Sequence, residues 1–203
     1  MANLITLFRF PLLFIYVGIL YFGNATLQLW GVVFILIIIV MDTVDGLIAR
    51  ARGEVSLLGS VLDIATDRTL EVVLWVVFAH LQAISIIIPI IIIVRGTTVD
   101  AIRSVGMSKG LPPFEQLQSK IARVLVSTQF MRGLYGTIKA IAFAALTLFY
   151  AFFNMNSSWA PMIHTIALIF SWSSVALSLV RGLPVLIEGY SMLHSPDTVN
   201  DQS

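Results

Sequence analysis

Six stretches of this chain, near residues 4–22, 25–48, 60–80, 83–103, 134–153 and 161–188, are apolar over the roughly 20 residues that a bilayer crossing requires. Few folds accept such a pattern. A soluble domain carries roughly 25% charged residues, whereas this chain has 11% charged and 58% hydrophobic residues. An all-α integral membrane fold of six transmembrane helices is expected, filling residues 1–193 as a single domain. The first stretch has no basic leader and no small-residue cleavage site, so it is expected to stay as a span rather than leave as a signal peptide. A net charge of +1 implies no bulk attraction to nucleic acid. The absence of cysteine excludes disulfides, thiolate metal sites and cysteine nucleophiles.

The connections differ sharply in charge. Segments 23–28, 80–83 and 154–160 contain no Lys or Arg, while the basic residues from Arg9 to Arg181 lie towards the other ends of the stretches. Basic residues gather on the cytoplasmic side, so both termini and the second and fourth connections are expected there. In residues 113–132, Phe114, Leu117, Ile121, Val124 and Leu125 recur at helical spacing, with Glu115, Gln116, Gln118, Lys120 and Arg123 on the opposite face. This reads as an amphipathic helix in the cytoplasmic interface, or else as an extension of the fifth span. Residues 194–203 form a polar tail. Pro89 and Pro184 are expected to kink their spans. His80, His164 and His194 have no partner at ligand spacing, and the four tryptophans read as core or interfacial anchors.

Carboxylates at the edge of a span are costly unless paired, solvated or bound to metal. Asp42 and Asp45 stand three apart and Asp63 and Asp67 four apart, each pair on one helix face. The connection 51–58 is short, so the two helices should be antiparallel neighbours with the pairs converging. Such a cluster repels itself without cations, and oxygen-only ligation suits Mg²⁺ or Mn²⁺. Two such ions can clamp a diphosphate during phosphoryl displacement. The structural alternative is that these aspartates pair with Arg50, Arg52 and Arg68. Gly46, Ala49 and Gly59 leave room for a ligand to approach the backbone, or equally for close helix packing. The Arg50 fork matches phosphate oxygens.

Asp42-x2-Asp45-Gly46-x2-Ala49-Arg50-x8-Gly59-x3-Asp63-x3-Asp67 resembles, at every position, the signature of the CDP-alcohol phosphotransferase family. The resemblance implies that the four aspartates hold two divalent metal ions, that Asp67 is the general base, and that Gly46, Ala49, Arg50 and Gly59 line the CDP site. It implies transfer of a phosphatidyl group from a CDP-linked lipid, here CDP-diacylglycerol, to a small alcohol acceptor, with release of CMP. It further implies a homodimer in the bilayer. Asn3-Leu4-Ile5-Thr6-Leu7-Phe8-Arg9 looks like the N-L-x-T-x-x-R opening of phosphatidylglycerophosphate synthases, and Arg95, Arg103 and Ser108-Lys109-Gly110 look like their basic stretch. Gly136-Thr137-Ile138-Lys139-Ala140 departs from their G-K-x-K-T segment at Thr137 and Ala140. The departures bear on the acceptor and leave the reaction type untouched.

Arg95, Arg103, Lys139 and Arg181 lie within or next to spans and are expected to have few carboxylates nearby to neutralise them. They suit an acceptor that already bears a phosphate, glycerol 3-phosphate first and inositol phosphate next, or else they snorkel to headgroups. Inositol, serine and choline are further acceptors compatible with the same chemistry. A coupled transporter would place its polar groups near mid-membrane on broken helices, unlike this cluster at one face. A membrane prenyltransferase, also a metal-diphosphate enzyme, has a different aspartate spacing and a larger helix count. The expected location is an integral membrane, the plasma or inner membrane in a bacterium, with the active site facing the cytoplasm.

Overall fold

The computed structural model describes residues 2–51, 57–108, 125 and 128–194, with side chains placed for 6–41, 59, 61–104, 125 and 128–188. Six helices carry the described residues: α1 Ala2–Phe22, α2 Ala25–Ala51, α3 Leu57–His80, α4 Ile87–Ser108, α5 Gln129–Asn154 and α6 Ala160–His194. No strand occurs among the described residues. Each helix coincides with one of the apolar stretches. By length and composition, Gln129–Asn154 and Ala160–Glu188 are long and apolar enough to cross a membrane, and Thr6–Phe22 and Ala25–Met41 are shorter apolar helices. α3 and α4 are interrupted by charge, at Asp63, Asp67, Arg68 and Glu71 in one and at Arg95, Asp100 and Arg103 in the other. Large apolar side chains point outward along the helices, Phe14, Trp30, Ile64 and Ile187 among them. Water disfavours apolar exposure on that scale and lipid accepts it, which fits a membrane protein.

The connections without Lys or Arg are tight turns closed by local chemistry. Asn24 caps α2, its side-chain oxygen accepting from Leu27 N at 2.8 Å. A Cβ on Gly23 would stand 2.4 Å from the Ile19 carbonyl oxygen, so only glycine fits between α1 and α2. α3 and α5 end alike. Ala83 N bonds Phe78 O and Gln82 N bonds Ala79 O, with Gln82 at φ 58°; Ser157 N bonds Phe152 O and Asn156 N bonds Phe153 O, with Asn156 at φ 53°. Both are Schellman closures, in which one left-handed residue satisfies the last carbonyls of a helix.

This turn delays α4 to Ile87, four residues after the expected start of the fourth span at 83. Pro89 therefore sits in the first turn of α4, where its missing N–H costs no hydrogen bond and no kink is needed, contrary to the expectation from sequence. Pro184 does lie inside α6. The amphipathic segment 113–132 falls largely outside the described residues, and its last four residues belong to α5. Of the tail, only His194 is described, as the end of α6.

Packing divides the chain into two compact units, one of Met1–Ile90 with Thr137–Ser174 and one of Ile91–Gly136 with Val175–Ser203. In the first, α1 packs on both α2 and α3. Trp75 and Phe78 of α3 meet Phe143 of α5, with ring centroids 4.6 and 6.2 Å apart. Beside them the Tyr16 hydroxyl donates to Thr147 Oγ1 at 2.5 Å, and that hydroxyl donates to Phe143 O at 2.7 Å. Near the turns, buried Gln28 donates to Leu20 O and Gly23 O and accepts from Asn154 Nδ2 at 2.6 Å. His80 and His164 belong to this framework. His80 Nδ1 lies 2.7 Å from the Tyr21 hydroxyl, while His164 Nε2 donates to Ala83 O at 2.8 Å. In the second unit Val99 and Val185 form a small core flanked by Ile102 and Leu186.

Candidate active site

On α3, Gly59, Asp63, Asp67 and Glu71 recur at every fourth residue and so form a stripe along one face. Successive members rise by about 6 Å at 1.5 Å per residue. The stripe grades from wet to dry: Asp63 and Asp67 are each 52% exposed, whereas Glu71 is 4% exposed.

Two neighbouring helices direct cations at this stripe. Arg9 of α1, itself buried, brings Nη1 to 4.0 Å from Asp63 Oδ1. Lys139 of α5 stands 4.0 Å from Asp67 Oδ1 and 3.4 Å from Glu71 Oε2. Arg68 approaches Glu71 from one turn earlier on α3, at 3.7 Å. The 4.0 Å contacts are too long for hydrogen bonds and act through charge alone. Asp63 and Asp67 thus keep exposed oxygens, while Glu71 lies between two cations.

The structure revises three expectations from sequence. Lys139 has two carboxylates beside it, because α5 lays it against α3, which sequence distance hides. Arg68, weighed above as a partner for the aspartates, has Glu71 within 3.7 Å. Glu71 and Arg9 belong to the site although the aspartate pattern does not contain them. Glu71 stands at the same four-residue interval as Asp63 and Asp67, which was a readable signal. Arg9, a lone charge in an apolar stretch, was another.

Asp42, Asp45, Gly46, Ala49 and Arg50 fall in the last turns of α2, and their side chains lie outside the described ones. Among the described residues no group of three or more His, Cys, Asp or Glu gathers as a metal cage. The described donors nonetheless suit a hard divalent cation: two carboxylates one helical turn apart, each 52% exposed.

The second unit collects the other arginines. Arg95 and Arg103 come from α4, Arg132 from the start of α5 and Arg181 from α6, close enough for the first three to repel the Arg181 charge. Arg181 lies over the Tyr135 ring, 5.3 Å from its centroid, a cation–π contact that steadies it. Arg95 packs along the α6 backbone at Gly182, where a Cβ would stand 2.6 Å from Arg95 Nε. Three of the four cations expected at a phosphate therefore share one unit with Arg132, which was not among them. Lys139 belongs to the other unit.

A sequence model of the family described as CDP-alcohol phosphatidyltransferase matches residues 1–180. No curated protein matches the chain.

Proposed function

This chain belongs to the CDP-alcohol phosphatidyltransferase family and is a phosphotransferase, and we propose that it moves a phosphatidyl group from CDP-diacylglycerol to glycerol 3-phosphate with release of CMP. The observation that carries this reading is the stripe on α3, which offers two exposed carboxylates one turn apart in an apolar helix.

In this reading all six helices span the bilayer and the Asp63 end faces the cytoplasm. Asp42, Asp45, Asp63 and Asp67 would hold two Mg²⁺ or Mn²⁺ ions, whose chemistry when bound would be to offset the charge of the donor diphosphate. Gly46, Ala49 and Gly59 admit the cytidine, and the Arg50 fork takes a phosphate oxygen pair. Asp67 accepts the proton of the acceptor hydroxyl. That oxygen forms a bond to the lipid-side phosphorus as the bond from phosphorus to the CMP oxygen breaks, and CMP leaves with the electron pair. Lys139 offsets part of the negative charge around Asp67 and anchors the acceptor.

A phosphorylated acceptor is favoured over inositol, serine or choline by the arginines of the second unit. Guanidinium forks match phosphate oxygens, and Arg95, Arg103 and Arg181 belong to that one unit. The deciding experiment is CMP release from CDP-diacylglycerol by purified protein over glycerol 3-phosphate, inositol phosphate, inositol, serine and choline. Release with glycerol 3-phosphate well above the others is expected. Equal release with serine or choline defeats the acceptor assignment, and no release with any acceptor defeats the donor.

A further inference from the structure

The transfer step above makes no use of Glu71. A buried carboxylate in an apolar helix is expensive unless paired, and this one is 4% exposed with Lys139 at 3.4 Å and Arg68 at 3.7 Å. Lys139 is shared, since Asp67 lies 4.0 Å from the same ammonium. The two contacts have opposite consequences. An ammonium within about 4 Å of a carboxylate attracts it strongly in a partly buried setting and therefore competes with any divalent cation that must bind there. The competition weakens if the ammonium is held by another carboxylate, and Glu71 lies on the buried side of Asp67, one turn deeper along the stripe.

We propose that Glu71 is the counter-ion of Lys139, a positioning residue that keeps the ammonium from neutralising Asp67 and so preserves Asp67 as a metal ligand. Arg68 holds Glu71 in place from its own helix, so the carboxylate does not follow the ammonium towards Asp67. The proposal rests on the reading of Asp67 as a metal ligand. It differs from a plain α3–α5 clamp, which would stabilise the fold without touching metal affinity.

The test is Mn²⁺ binding to the purified full chain, followed by the electron paramagnetic resonance signal of free Mn²⁺. Glu71→Gln should weaken binding about tenfold, because an unbalanced charge near 4 Å is left facing the site. Lys139→Met alone should bind at least as tightly as the unaltered protein. The double variant Glu71→Gln with Lys139→Met should return to within about twofold of it, the usual error of additivity. Unchanged affinity in Glu71→Gln, a double variant as weak as Glu71→Gln, or weaker binding by Lys139→Met would each overturn the proposal. Should Glu71→Gln fail to fold, Lys139→Met and the double variant, which removes both charges together, still decide it. Asp67→Asn separates the two ideas. If it leaves Mn²⁺ affinity intact, the metal reading itself fails; if it abolishes binding while Glu71→Gln does nothing, only the Glu71 inference fails.

Discussion

The stripe on α3 and the arginine cluster around Arg181 handle charge within an apolar chain in opposite ways. On α3 every described carboxylate has a cation within 4.0 Å, supplied by α1, α5 or α3 itself. Around Arg181 three further guanidinium groups face the fourth, steadied by an aromatic ring. The stripe exposes Asp63 and Asp67 and buries Glu71. In the proposed reaction the first region would serve proton transfer and metal binding, and the second would hold a phosphate.

Substitutions can break that comparison, and Asp67→Asn should have the largest effect. Loss of a general base costs about 10²–10⁴ in rate, and loss of a ligand adds to it. CMP release at saturating Mg²⁺ should fall by at least about 10³; a variant near full activity would remove Asp67 from the mechanism. Arg181→Ala comes next. It should raise the KM for glycerol 3-phosphate by about 10- to 100-fold, the range for a hydrogen bond to a charged group, and leave the KM for CDP-diacylglycerol nearly unchanged. Equal increases in both would place the arginines outside acceptor binding.

Gly182→Ala sharpens the comparison without altering charge. The new methyl would meet Arg95 Nε at 2.6 Å and Cγ at 3.0 Å, so the guanidinium must move. A rise of about 3- to 10-fold in acceptor KM is expected, as for a displaced charged contact. No change would mean that the position of Arg95 is unimportant. Tyr16→Phe is the smallest perturbation. It removes the 2.5 Å bond to Thr147, and hydrogen bonds between membrane helices average about 0.6 kcal/mol. Thermal stability in detergent should fall by a few tenths to about 1 kcal/mol with turnover unchanged.

Much of this architecture was legible beforehand. Each apolar stretch coincides with one of the six described helices, because an apolar run of about 20 residues is a strong helix signal. The start of α4 was not legible, since Gln82 adopts a left-handed conformation usually left to glycine. That Asp63 and Asp67 share one face of α3 was legible because their spacing is local. The cations opposite them were not, because Arg9 and Lys139 arrive from helices more than 50 residues away in sequence. Periodicity reports which face a side chain shares and is silent about what the next helix brings.

The half-exposure of Asp67 has a consequence for side reactions. If Asp67 is the base, as proposed, its exposure does not by itself distinguish an alcohol from water and would not prevent hydrolysis of the donor. Discrimination must come from what the alcohol carries and water lacks. In the proposed reaction that is the phosphate of glycerol 3-phosphate, and fidelity would then lie with the guanidinium groups rather than with the base. Arg181→Ala should then raise the fraction of CMP released without phospholipid product, a quantity that counting both products in one assay would measure.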